Sequence, residues 1–187
     1  MPELRRLFIA MNWSKRKKTF IIVDFIMIII LIAIDQITKH LAVLHLKDKP
    51  AYPIINNVFE LNYLENRGAA FGMLQNQKGF FILISCIVLI AICYILVKVP
   101  ETKKYNILHV LLVLIASGAI GNMIDRIRLE YVVDFFYFVL INFPIFNMAD
   151  IYVSVACVLL AIVMLFVYKE EDLDFLSIRP KKIREIK

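Results

Sequence analysis

Asp35, Thr38 and Lys39 stand at i, i+3 and i+4, a spacing that puts them on one face of a helix. Gly118, Asn122, Asp125 and Arg126 repeat that spacing, and Asn147, Asp150 and Ser154 repeat it again. Each group interrupts a long apolar run. Polar groups at membrane depth are costly, so each is a candidate for function by default. Asp134 sits between runs, yet its neighbours are almost all apolar. Asp134 and Asp150 are therefore two carboxyls in apolar settings. If they met, they would share one proton, because two like charges a few ångströms apart cannot both ionise. The ionised member would take a proton from water. The protonated one would polarise a carbonyl and then protonate the leaving amine. That is peptide hydrolysis without metal or cofactor. The residues alone do not establish that the two carboxyls meet. A plain structural reading also stands beside each polar group. Asp35 and Lys39 can cancel each other at i, i+4. Asp125 can pair with the adjacent Arg126 at a helix end. Asp24 has no matching partner in sequence and receives no role.

Other chemistries fit less well. No G-x-S-x-G is present, and Ser85, Ser117 and Ser154 have no histidine nearby. Cys86, Cys93 and Cys157 lie in apolar runs without a C-x-x-C and read as small buried hydrophobes. His40, His45 and His109 form no pair at metal-ligand spacing and read as satisfied or interfacial side chains, so no metal site is expected. A Gly-rich phosphate loop is absent, as is the G-x-G-D of presenilin-type proteases.

These residues have to be positioned by membrane elements. The chain has 187 residues, 61% hydrophobic and only 20% charged. That is too apolar for an ordinary soluble domain, a disordered chain or a disulfide-stapled module. Four runs are long enough to cross a bilayer as helices, over about 19–43, 79–99, 106–127 and 146–168. The first continues into Asp35 and Lys39 without a small-x-small cleavage site, which favours a retained span over a signal peptide. Net charge is +6, but fifteen of the 22 Lys and Arg fall in 1–18, in 98–105 and after 168. They read as topology determinants, with no basic stripe for nucleic acid. Both termini are therefore expected in the cytoplasm, with loops 44–78 and 128–145 outside. The polar groups of spans 1, 3 and 4 then collect in one outer leaflet. In loop 44–78, Phe59, Leu61 and Tyr63 alternate with Glu60 and Asn62, which predicts a strand, and Asn66-Arg67-Gly68 predicts a turn. Loop 128–145 holds six aromatics and reads as a short interfacial loop or helix in the headgroups. The expected fold is an all-α membrane protein of four helices with a small extracytoplasmic β-sheet. Its peptidase domain would span 19–168, between cytoplasmic tails 1–18 and 169–187. An ion or proton path is the rival reading. It would need polar groups through the full depth, and the inner halves of spans 2, 3 and 4 are almost wholly apolar.

Five strings then occur in order: DQITK at 35–39, NRGAAFG at 66–72, GAIGNMIDR at 118–126, VVDF at 132–135 and FNMAD at 146–150. With four spans in so short a chain, the sequence resembles the lipoprotein signal peptidase family, signal peptidase II, over about residues 19–168. The resemblance implies an intramembrane aspartyl endopeptidase of the bacterial cytoplasmic membrane. It would cleave prolipoprotein signal peptides just before a diacylglyceryl-modified cysteine. It implies Asp134 and Asp150 as the catalytic pair, with Asn66, Gly68, Asn122, Arg126 and Asn147 binding or orienting substrate. Asp35, Lys39 and Asp125 would be supporting residues. No cofactor is implied. The partners expected are the prolipoprotein and membrane lipid, with the enzyme acting as a monomer.

Overall fold

The computed structural model describes residues 13–68 and 73–177. Parts of both expected tails, residues 1–12 and 178–187, and four residues of the NRGAAFG string lie outside the described residues.

Helix α1 runs over Lys15–Leu46. Ser14 opens it as an N-cap, its hydroxyl accepting from the Lys17 amide at 3.0 Å. No Pro or Gly interrupts the apolar run, and the chain turns extended at Lys47, ahead of Pro50. Helix α2 covers Lys78–Lys98, α3 covers Asn106–Leu129 and α4 covers Met148–Phe166. All four are long and apolar enough to cross a membrane, and they match the four runs to within a few residues at each end. At 1.5 Å per residue each exceeds or nearly equals the roughly 30 Å hydrocarbon core.

Helix α3 is the centre. Half of its most apolar stretch is buried, against 6–22% for the other three, so it is wrapped by protein while they face outward. Its closest approach is to α4. A Cβ on Gly118 would lie 2.4 Å from the Ala149 carbonyl oxygen, so only glycine lets the two backbones come this near.

At one end of the bundle sits a three-stranded antiparallel sheet: β1 (Tyr52–Ile55), β2 (Phe59–Asn66) and β3 (Val132–Tyr137), in that order. The β1–β2 turn falls at 56–58, with Asn57 at φ 58°. The Asn66–Gly68 turn is a bend outside the hairpin, closed by the Gly68 amide donating to Asn66 Oδ1 at 2.9 Å. Strand β3 corrects the reading of 128–145 as a loop or helix. Four consecutive residues, Val132 to Phe135, are buried, so the strand faces protein on both sides and carries no alternation. A single 3₁₀ turn, Val139–Ile141, and the phenylalanines beside it, Phe138 and Phe143, present apolar side chains outward, with Leu140 and Ile141 about two-thirds exposed.

The opposite end holds both described chain ends and the α2–α3 connection. There the Lys17 ammonium donates to the Val99 carbonyl at 2.7 Å, and Ser14 donates to Glu101. Lys104 pairs with Asp172 in a 3₁₀ segment, Glu170–Leu176, that packs back on the bundle.

Candidate active site

Asn147 precedes α4 in extended conformation and caps it reciprocally. Its side-chain oxygen accepts from the Asp150 amide at 3.1 Å, and its own amide donates to Asp150 Oδ2 at 3.1 Å. This capping box fixes where the Asp150 carboxylate stands, at the positive end of the helix. The same Asn147 sends its side-chain N–H to Asp134 Oδ1 at 2.6 Å. One fully buried residue therefore holds both carboxyls. Asp134 enters from β3, and its second oxygen accepts from Asn66 Nδ2 at 2.8 Å. That donor is delivered by β2, whose Leu64 is the cross-strand partner of Asp134. Asp134 is 1% exposed, and burial followed by the charge of Asp150 pushes its carboxyl up to about 7. The amides of Asn66 and Asn147, with the Lys39 charge, pull the other way.

Beneath the pair lies a second polar group. Lys39 Nζ donates at 2.9 Å to Asp35 Oδ2, to Asp125 Oδ2 and to Asn122 Oδ1. Asn122 in turn donates to Asp150 Oδ1 at 2.8 Å. The free oxygen of Asp35 accepts from the Ala149 amide at 3.0 Å, so a residue of α1 satisfies an orphan donor of α4. Asp125 also accepts from the Val133 amide and from Gln36. Gly121 leaves the space, since a Cβ there would fall 2.5 Å from Asp35 Oδ2.

Asp35, Lys39, Asn122, Asn147, Asp150, Asp134 and Asn66 thus form one connected cluster. Two expected pairings differ. Asp125 pairs with Lys39 and leaves Arg126 free for other work. Arg126 donates to the Gly68 carbonyl at 3.2 Å and lies over the Phe81 ring, 4.5 Å from its centre. An i, i+1 pair points to different helix faces, so adjacency in sequence misleads here. Asp24 does have a partner: its carboxylate lies 2.7 Å from His109 Nδ1 across α1 and α3. Thr38 turns back to carbonyls of its own helix and takes no part.

The two carboxyls open on a cavity of about 500 Å³. Asn66, Gly68, Asn122 and Arg126 supply its other polar wall, while Phe143, Pro144, Phe146, Ile151 and Val155 make an apolar one. Ser154 also faces it. Sequence reading missed Gln36, Phe81 and the Ala149 amide. Gln36 lies inside the DQITK string but off the i+3/i+4 face. Phe81 and a backbone N–H give no signal of their own. Among the described residues no three His, Cys, Asp or Glu side chains come together as a metal site.

Two carboxyls thus share the wall of one cavity in a bundle of four helices long and apolar enough to cross a membrane, the arrangement expected of a membrane aspartic hydrolase. The family model for signal peptidase (SPase) II matches residues 26–166. The lipoprotein signal peptidase of Caldanaerobacter subterraneus subsp. tengcongensis is 46% identical over 142 residues, covering 75% of this chain and 94% of that protein. That of Clostridioides difficile is 46% identical, covering 75% and 93%. A solved bacterial membrane enzyme superposes with TM-score 0.68 at 28% identity, covering 86% of this chain and 94% of that one. A second gives 0.67 at 30%, covering 78% and 94%. The chain belongs to the signal peptidase II family and is a multi-pass membrane peptidase of the aspartic type.

Proposed function

We propose that Asp134 and Asp150 are the catalytic pair with which this peptidase removes signal peptides from prolipoproteins, cutting before a diacylglyceryl-modified cysteine. The observation that carries the reading is the double grip of Asn147 on both carboxyls at the wall of one cavity. Asp35 and Asp125, the other acids of the cluster, are tied to Lys39. Asp150, held by Asn122 and by the Asn147 amide at a helix N-terminus, serves as the base that deprotonates water. Asp134, raised to about 7, keeps the shared proton near neutrality and donates it to the substrate carbonyl. After attack the proton taken from water passes to the leaving amine. The pair titrates as a unit, so activity should trace a bell against pH.

Asn66, Gly68, Asn122, Arg126 and Asn147 orient the peptide. The Arg126 guanidinium and the free faces of the amides suit substrate carbonyls, and the apolar wall suits acyl chains. The excess of Lys and Arg in 1–18, 98–105 and after 168 supports both termini in the cytoplasm. The sheet end, with the exposed Leu140 and Ile141, then lies at the outer face of the bacterial cytoplasmic membrane. The peptidase domain is 19–168, working as a monomer with no cofactor.

The test is cleavage of a lipid-modified prolipoprotein by purified enzyme in detergent. Asp134→Asn and Asp150→Asn keep shape but remove the shared proton or the base. Each should abolish cleavage while the protein still folds, and near-normal rates for either would sink the reading. Rates should be unchanged by EDTA. A reporter fused after Lys187 should report cytoplasm, and one inserted near Asp48 the outside.

A further inference from the structure

The side-chain amide of Asn122 can face two ways, and only one serves Asp150. Its oxygen accepts from Lys39 at 2.9 Å and from Asn147 at 3.1 Å, while its nitrogen donates to Asp150 at 2.8 Å. Reversal would set the amide nitrogen against an ammonium that has no lone pair, and the amide oxygen against a carboxylate. Asn147 favours the same orientation, because its own amide is held by the Asp150 N–H and by the Asp134 carboxylate. Lys39 adds a charged partner that can only donate. Its three protons go to Asp35, Asp125 and Asn122, the full capacity of an ammonium, and it is 3% exposed.

We infer that Lys39 is a positioning residue for the reaction: it locks the Asn122 amide so that a donor always faces Asp150, and its charge biases the carboxyl pair toward the singly ionised state. The inference rests on the reading of Asp134 and Asp150 as the catalytic pair. Two negative charges, Asp35 and Asp125, hold Lys39 in place from α1 and α3. Among the described residues, the charges acting on the pair include Lys39 and Asp35 from α1 and Arg126 from α3, with Asp125 tied to Lys39 behind them. Of the two cations, Lys39 is the one linked to the pair through the Asn122 side-chain amide. It does not line the cavity itself and reaches the wall only through Asn122, so it acts without contacting substrate.

Lys39→Met keeps length and apolar bulk but removes the charge and the lock. Initial rates against pH and substrate concentration should show kcat lowered by about 100-fold near neutrality, within the range general acid–base catalysis supplies. KM should stay within about threefold, because no substrate contact is lost. Both limbs of the kcat–pH bell should move up by about half to one unit, because a nearby cation favours the ionised forms. Lys39→Arg, which restores charge and donors, should recover the bell's position and part of kcat. Lys39→Met strands two buried carboxylates, so the same profile is taken for Lys39→Met/Asp125→Asn, which restores the charge balance. Asn122→Asp, which swaps the donor facing Asp150 for an acceptor, should lose kcat at least as severely as Lys39→Met. An unshifted bell with normal kcat in either Lys39→Met protein, or normal kcat in Asn122→Asp, would overturn the inference. Activity remaining in Asp134→Asn or Asp150→Asn would instead overturn the reading beneath it, so the two failures are distinguishable.

Discussion

The two ends of the bundle bury charge in opposite ways. At the end away from the sheet, polar groups close on one another locally. Asp24 meets His109, whose ring stacks on Phe20, and Lys17 finishes on the Val99 carbonyl. At the sheet end the buried groups run on from Lys39 through Asn122 and Asn147 to Asp134, and the chain of bonds stops at a cavity. A buried pair that satisfies itself holds helices together. A buried network that ends at an open space can hand a proton to something that enters. Burial of charge does not mark a site by itself; an unfinished network with access does.

The sharpest way to break this contrast is to remove both carboxyls. Asp134→Asn/Asp150→Asn should be little slower than either single variant, all at the detection limit, because the pair acts as a unit. Additive losses in single-turnover assays would mean the carboxyls work separately. Asn147→Ala should come next. It strips a donor from Asp134 and the side-chain cap of α4, so kcat should fall by at least about 100-fold. Thermal unfolding in detergent should record about 1 kcal/mol from the lost cap and about 1–3 kcal/mol more from the buried partners left unpaired. Gly121→Ala pushes a methyl into the Asp35 carboxylate. It should cost about 1–3 kcal/mol of stability and a measurable share of the rate, since the cluster has to shift. At the other end, Asp24→Ala leaves a buried His109 nitrogen without its partner and should cost about 1–3 kcal/mol of stability, yet leave kcat per folded molecule unchanged. A rate defect there would erase the distinction between the two ends.

A subtler comparison uses pH. The Asp134 carboxyl sits near 7 in the fold, above an unfolded aspartate at about 3.9. Between those values the folded chain holds the extra proton, so this group's contribution to stability declines as pH rises through that window. Asp134→Asn removes the decline. Its melting temperature should gain on that of the parent between about pH 5 and pH 8, and the gain should vanish toward pH 4. An equal difference at every pH would mean that Asp134 ionises normally.

The four helices were legible because a bilayer demands long apolar runs, and nothing else in the chain resembles one. Asn122, Asp150 and Lys39 were legible for the same reason: polar groups inside such runs stand out. β2 showed its alternation, but β3 did not, because it is covered on both faces and its sequence reads as one apolar run. The pairing of Asp125 with Lys39 depends on how α1 packs against α3, which no spacing within one helix encodes. The partner of Asp24 was hidden likewise, 85 residues away in sequence. Asp35 looked like half of an i, i+4 pair, and half of its work, holding the Ala149 amide, involves a backbone atom that leaves no trace in residue type.

That bond from Asp35 to the start of α4 also bears on biogenesis. Membrane helices emerge from synthesis in order, and the cluster draws on the first, the third and the last of them. A nascent chain with three helices inserted has Asp134 but neither Asp150 nor the Asn147 that grips both carboxyls. The fourth helix brings those two residues, and its first turn finds its seat on a carboxylate laid down at the start of translation. Until that docking the growing chain carries no assembled pair of carboxyls, so the proposed site exists only once the last helix is in place.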